Sequence, residues 1–127
     1  MLKRIKSLLK GNFITIAISI TICITYLSLM KMPKIDVKIS SIDKVYHLIA
    51  YLTLTLCWLF SFYRKPSLKY IIIILCILFG IIIEILQSTL TVYRTADYKD
   101  IIANTVGIVL GLLIFNQIIK KIDFNSQ

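Results

Sequence analysis

Ionisable side chains open one of the most apolar parts of this chain. The stretch Ile42–Tyr51, IDKVYHLIAY, begins with Asp43 and Lys44 and contains the single histidine of the sequence, His47. Asp43 and His47 are four residues apart, so on a helix they lie on one face. A carboxylate, an ammonium group and an imidazole in this arrangement can transfer protons or bind an anion.

Two later segments carry side chains of the same kinds. Glu84 and Gln87 interrupt a long apolar stretch. An apolar stretch of this length can cross a membrane. A carboxylate there is costly unless it is paired, hydrated or protonated, so Glu84 is a candidate functional residue. The next segment adds two carboxylic acids, one amide and one guanidinium. The guanidinium suits a phosphate or a carboxylate. These four residues are Arg94, Asp97, Asp100 and Asn104.

Most of these residues also have a purely structural explanation. Asp43 follows Ser40 with the spacing of a helix cap, and the later aspartates suit the positive end of a helix dipole. Gln87 can join two helices by hydrogen bonding, and His47 can do the same at an interface. The hypothesis of a site therefore depends on the convergence of the whole set.

The elements that must position these side chains are membrane-spanning helices. Of the 127 residues, 58% are hydrophobic and 17% are charged, and the charges are clustered. Residues 11–30, 45–63 and 101–119 are uncharged, and a fourth long stretch contains only Glu84. Since a spanning helix needs about 20 mostly apolar residues, we predict an all-α integral membrane protein with one domain over residues 1–127. Its four-helix bundle would comprise helices at about 12–30, 42–62, 68–88 and 99–119.

The basic residues predict an orientation. The formal net charge is +9, which we attribute to residues that flank spanning helices and contact anionic headgroups, not to nucleic-acid binding. Nine Lys or Arg fall on the side of the two termini and the 63–69 loop, and six fall on the other side. The positive-inside rule then predicts both termini in the cytoplasm, N-in and C-in.

The rise of a helix places the polar side chains at similar depths. At about 1.5 Å per residue, Glu84 lies about 9 Å below the outer edge of a hydrocarbon core about 30 Å thick. His47 and Asn104 enter from the same side by about 5 and about 6 Å. We therefore expect one polar cluster shared by the second, third and fourth helices, with Arg94 pairing with Glu84.

The last helix also has a packing face. Ala103, Gly107 and Gly111 recur every four residues, and small residues at this spacing let two helices approach closely in lipid. We predict a close helix contact there. An oligomer formed through the Gly107 and Gly111 face is left open.

The order and spacing of these motifs resemble the VanZ-like family of small bacterial membrane proteins. The motifs DKVYHLIAY, EILQ and RTADYKDIIANTVGIVLG stand in the order of the family pattern over about residues 40–115, and the first helix agrees only in being a span. Asp97 stands where the family commonly has a small polar residue. The residues that match the pattern are Asp43, Lys44, His47, Tyr51, Glu84, Gln87, Arg94, Asp100, Asn104 and Gly107.

The resemblance implies a multi-pass protein of the bacterial cytoplasmic membrane with a role at its outer face. The family is named for a protein associated with low-level resistance to the glycopeptide teicoplanin. We expect a site that binds or modifies an anionic envelope lipid or lipid-linked precursor, with an effect on teicoplanin sensitivity. Candidate catalytic residues are His47, Glu84 and Asp100. Candidate substrate-binding residues are Asp43, Lys44, Tyr51, Gln87, Arg94 and Asn104.

Three alternatives stay open, so the sequence does not decide whether the protein is an enzyme. A membrane-embedded hydrolase or transferase would use the candidate catalytic residues, although no Ser or Cys is placed as an obvious nucleophile. A divalent metal could bind His47 with Asp43, Glu84 and Asp100, without a recognised metal motif, and no other cofactor is predicted. The third alternative is transport. Four helices are few for a pore unless the protein forms oligomers.

The predicted orientation is tested by labelling introduced cysteines. Lys38→Cys and Thr95→Cys should react with a membrane-impermeant reagent applied outside the cell, because both loops are predicted to face outward. Ser67→Cys should react only after the membrane is permeabilised. Labelling of Ser67→Cys in intact cells would reverse the orientation.

Overall fold

The apolar stretches form four α-helices, as the sequence predicts. In the computed structural model they are α1 (Leu2–Leu29), α2 (Ser40–Ser61), α3 (Lys69–Leu90) and α4 (Tyr98–Ser126), with a 3-10 turn at Pro66–Leu68. The structure describes residues 2–29, 40–90 and 98–126, and the side chains of residues 12–29, 44–89 and 98–121. All four α-helices are long and apolar enough to cross a membrane, so the chain is a multi-pass membrane protein.

The two inner helices begin and end within two residues of the predicted positions, whereas α1 and α4 are longer than predicted. α1 begins at Leu2 and so includes the basic segment that the sequence analysis placed in a tail. α4 continues past residue 119 to Ser126. Lys, Arg, Leu and Ile are adequate helix formers, so both helices extend beyond the apolar part that defines the span.

A short turn makes α2 and α3 antiparallel neighbours. Pro66 stands in the first turn of the 3-10 helix, where the missing N–H of proline costs no hydrogen bond. The N–H of Leu68 donates to the carbonyl of Lys65 at 3.0 Å, which closes the turn. The chain therefore reverses direction within a few residues.

α2 is the central helix because it packs against each of the other three. Its most extensive interface is with α4, which runs parallel to it, while α3 is antiparallel to both. α1 packs mainly on α2 and less on α3. The predicted bundle of the second, third and fourth helices is confirmed. We call the end that carries Lys44, His47, Asp100 and Asn104 the polar end, and the end that carries Lys65, Lys69 and Lys120 the basic end.

Gly107 and Gly111 bring α4 against the backbone of α2. A Cβ atom added at Gly107 would lie 2.3 Å from the carbonyl oxygen of Leu48. One added at Gly111 would lie 3.1 Å from Cβ of Thr55 and 3.2 Å from the carbonyl oxygen of Leu52. The predicted close contact is confirmed, and it lies within one chain. α2 occupies this glycine face within the chain, and the oligomer left open by the sequence stays a prediction.

Aromatic side chains fill the bundle towards the basic end. The ring of Phe60 meets that of Phe115 edge to face at a centroid distance of 5.1 Å and stacks on Phe13 of α1 at 5.6 Å. Trp58 Nε1 donates a hydrogen bond to Thr21 Oγ1 at 3.0 Å. These contacts attach α1 to the central helix, since buried aromatic pairs add to the stability gained from burial alone.

Gly107→Ala should destabilise the bundle, although alanine favours a helix over glycine by about 1 kcal/mol. The added Cβ has no space beside the carbonyl oxygen of Leu48, so α2 and α4 must move apart. Thermal unfolding in mild detergent should give a lower midpoint for Gly107→Ala than for Gly111→Ala, whose nearest neighbour is a side-chain atom at 3.1 Å. Val109→Ala, at an exposed position of α4, is the control. A Gly107→Ala midpoint at or above that of the original protein would contradict the close contact.

Candidate functional site

Four side chains from α2 and α4 meet at the polar end. The two helices start at this end and run parallel, so residues of their first turns lie side by side. Lys44 Nζ forms an ion pair with Asp100 Oδ1. One turn deeper, a hydrogen bond of 3.0 Å joins His47 Nδ1 and Asn104 Oδ1. The other imidazole nitrogen, Nε2, lies 4.0 Å from Asp100 Oδ2, so the two carboxylate oxygens face two different basic groups.

The accessibility of these four side chains falls from Lys44 inwards. The side chain of Lys44 is 27% exposed, that of His47 is 13% exposed and that of Asp100 is 11% exposed. Asn104 is buried. The cluster is therefore reached from outside the bundle at the ammonium group of Lys44.

Asp100 has a structural role as well as a place in the cluster. It lies in the first turn of α4, where a negative charge interacts favourably with the helix dipole. Its carboxylate also pairs with Lys44 and faces His47. The capping explanation and the site explanation for this residue are therefore compatible.

A buried polar layer adjoins the cluster. It includes Glu84 on α3 and Tyr51 on α2, which are 1% and 2% exposed. Gly80, one helical turn from Glu84, faces both α2 and α4. A Cβ added there would lie 3.1 Å from Cε1 of Tyr51 and 3.4 Å from Nδ2 of Asn104. α3 thus reaches Tyr51 and Asn104 at Gly80. The cluster shared by Glu84 and His47 stays a prediction.

Gln87 connects the site to α1. Its Nε2 atom donates a hydrogen bond to the backbone carbonyl of Ser28 at 3.0 Å, and its side chain is buried. Hydrogen bonds of this kind join helices in membranes. The structural explanation for Gln87 therefore holds, and its role in substrate binding stays a prediction.

Comparison with known proteins assigns the family. A model of the VanZ/LLP1 family matches residues 2–120. The chain belongs to the VanZ/LLP1 family. The match includes α1. In the sequence motifs, by contrast, the first helix agreed with the family pattern only in being a membrane span.

One curated relative comes from a yeast. An uncharacterized protein of Schizosaccharomyces pombe is 39% identical to this VanZ/LLP1 chain over 74 residues. The aligned part is 57% of this chain and 45% of the relative, so the chain spans less than half the length of that protein. No solved structure matches the chain.

Three of the acids and bases singled out in the sequence have side chains outside the described residues. Arg94 and Asp97 fall in the segment between α3 and α4, outside the described residues. The backbone of Asp43 is in the first turn of α2, and its side chain is likewise outside them. The pairing of Arg94 with Glu84 and the capping by Asp43 therefore stay predictions.

The metal site suggested by the sequence also stays a prediction. Among the side chains that the structure describes, no three His, Cys, Asp or Glu residues come together as a metal site would require. His47 and Asp100 supply two neighbouring donors. Of the other two ligands proposed from the sequence, Glu84 is buried on α3, and the side chain of Asp43 is not among those described.

Sequence reasoning missed one residue of this site, Gly80. The residue has no functional group, so a search for polar side chains passes over it. Its signal is the spacing Gly80-x-x-x-Glu84, which puts the smallest residue one turn from the buried carboxylate on the same helix face. The space that it leaves is filled by Tyr51 and Asn104.

The hydrogen bond between His47 and Asn104 should appear as a coupling energy. Such bonds in membrane proteins average about 0.6 kcal/mol in double-mutant cycles. We expect His47→Ala and Asn104→Ala each to lower the free energy of unfolding, and the double variant to lose less than the sum of the two. The measurement is equilibrium unfolding of the four proteins in mixed micelles. The same cycle with Thr53, an exposed residue of α2, in place of His47 should be additive, and an additive His47 cycle would exclude the bond.

Proposed function

We propose that the polar end of this VanZ/LLP1 protein binds the anionic headgroup of an envelope lipid or lipid-linked precursor. The observation that supports it best is the arrangement around Asp100. One carboxylate holds Lys44 and directs its second oxygen towards His47 at 4.0 Å. Two nitrogen-bearing side chains are thereby presented side by side at the accessible edge of the bundle.

The chemistry of Lys44 fits a phosphate. An ammonium group has three N–H donors, and a phosphate offers several strong acceptor oxygens. Lys44 can therefore contact an arriving phosphate while its ion pair with Asp100 stays in place. Its partial exposure allows that approach, whereas Asp100 is held deeper.

The buried layer supports function over simple packing. Glu84, Gln87 and Asn104 are each 3% exposed or less among the buried side chains of the bundle. Polar groups at this depth cost stability unless they are satisfied, and ionisable residues inside a membrane are functional candidates by default. In our proposal this layer supports the site, with Asn104 holding His47 by a hydrogen bond.

The relative in a yeast favours a lipid headgroup over a precursor confined to the bacterial wall, since phospholipids are common to bacterial and fungal membranes. The location in a bacterial cytoplasmic membrane, the outer-face opening and the effect on teicoplanin sensitivity rest on the sequence motifs and the predicted orientation. They are parts of the proposal.

The alternative is an enzyme that hydrolyses or transfers the headgroup. The placement of His47 favours it, because Asn104 contacts one ring nitrogen and a carboxylate oxygen of Asp100 faces the other. Since Asn104 Oδ1 accepts from Nδ1, the basic nitrogen of the neutral imidazole is Nε2, and a water molecule or hydroxyl group would give up its proton there, beside Asp100 Oδ2. Glu84 would then be the buried acid of the pair.

A lipid probe that carries a photoreactive group on its phosphate headgroup tests the proposal. With the full chain in lipid nanodiscs, crosslinks should concentrate in peptides 44–51 and 98–104. Lys44→Gln should lower them about fivefold, the effect of one basic residue near a membrane surface, and His47→Ala should also lower them.

Lys99→Gln is the control for charge, because it removes one charge at the same end from a residue that is not a member of the Lys44–Asp100 ion pair. Equal crosslinking of wild type, Lys44→Gln and His47→Ala would contradict the binding site. A probe recovered with an altered headgroup, in wild type but not in His47→Ala, would favour the enzyme. The same variants assayed for teicoplanin sensitivity test that part of the proposal.

A further inference from the structure

A second concave surface lies at the basic end, away from the polar cluster. A cavity of about 340 Å³ opens between the α2–α3 turn and α4. Three lysines line it, one from the turn, one from the start of α3 and one from α4: Lys65, Lys69 and Lys120. None of the described side chains that line it is acidic. The cavity therefore presents concentrated positive charge at one end of a membrane-spanning bundle.

One of these lysines ties the cavity walls together. Lys69 Nζ donates a hydrogen bond to Asn116 Oδ1 at 3.1 Å, which joins α3 to α4 across the cavity. Lys65 and Lys120 are exposed. One ammonium group is thus fixed in the wall, and two can close over a ligand from the rim.

A largely apolar cavity lies directly beside the basic one. It has a volume of about 270 Å³ and is lined by α1, α2 and α3 side chains that include Trp58 and Leu75. Phe62 and Ile72 line both cavities, so they form a shared wall. A basic recess and an apolar recess thus lie side by side.

We propose that these two cavities bind one anionic phospholipid, with its phosphate among the three lysines and an acyl chain in the apolar cavity. Basic pockets between spanning helices are suited to anionic headgroups. Free phosphate would satisfy the lysines and leave the apolar cavity unfilled, whereas a phospholipid matches both. This site shares no residue with the polar end and is independent of the function proposed there.

Trp58 reports on this site, because it is the single tryptophan of the chain and lines the apolar cavity. Phospholipids brominated on the acyl chain quench tryptophan fluorescence on contact. The full chain is reconstituted in vesicles of phosphatidylcholine, with increasing amounts of brominated phosphatidylglycerol or brominated phosphatidylcholine. The anionic lipid should quench Trp58 with the higher relative binding constant, by about fivefold for each contributing lysine at low salt.

Charge removal at the cavity should abolish this preference. The triple variant Lys65→Gln, Lys69→Gln, Lys120→Gln should bind both brominated lipids equally, since glutamine can keep the hydrogen bond to Asn116 but not the charge. Lys120→Gln alone should lose part of the preference. Lys121→Gln is the matched control, because it removes one adjacent charge that does not line the cavity, and it should behave as wild type.

Three results would overturn the proposal. They are an absence of preference in wild type, an equal loss in Lys120→Gln and Lys121→Gln, and loss of the preference when inorganic phosphate is added at constant ionic strength. The last result would assign the cavity to free phosphate. If the triple variant does not fold, as judged by its Trp58 emission in phosphatidylcholine alone, the exposed single variants Lys65→Gln and Lys120→Gln decide between these outcomes.

Discussion

The contact between the backbones of α2 and α4 fixes the rest of this structure. Gly107 faces the carbonyl of Leu48 without space for a Cβ, and Gly111 meets α2 two turns further on from Leu48, at Thr55. Without a hydrophobic driving force between helices in lipid, association depends on close packing and hydrogen bonding. Two glycines four residues apart supply the close packing, and they also fix the rotation and the axial position of α4 against α2.

The polar site follows from that register. With Gly107 against Leu48, the preceding turns of α4 lie beside the preceding turns of α2, so Asn104 reaches His47 and Asp100 reaches Lys44. A shift of one residue on either helix would turn these side chains away from each other by about 100°. Packing and site are therefore one constraint, and the glycine spacing determines which acid meets which base.

The sequence predicts most of this arrangement because its physical causes are local. Uncharged length gives the four spans, and small-residue spacing gives the α2–α4 contact. Helical rise predicts similar depths for His47 and Asn104, which a hydrogen bond joins in the structure, and the depth of Glu84 beside them stays a prediction. The sequence does not decide which of several possible partners a side chain contacts. The bond from Gln87 to the carbonyl of Ser28 on α1 is one case, because every helix offers backbone carbonyls and spacing does not select one. Gly80 is another, since its contribution is the space that it leaves.

The two ends of the bundle accommodate charged side chains in two different ways. At the basic end, Lys65 and Lys120 remain exposed at the rim and cost little, because their charged ends stay hydrated. At the polar end, Asp100 and His47 are drawn between helices, where the low dielectric strengthens each pairing and penalises each unsatisfied group. Loss of Lys44 would remove one of the two basic groups that Asp100 faces, and loss of Asp100 would remove an acid that faces both Lys44 and His47. Because these side chains depend on one another, we expect a substitution at the polar end to change both the stability of the bundle and the function proposed there.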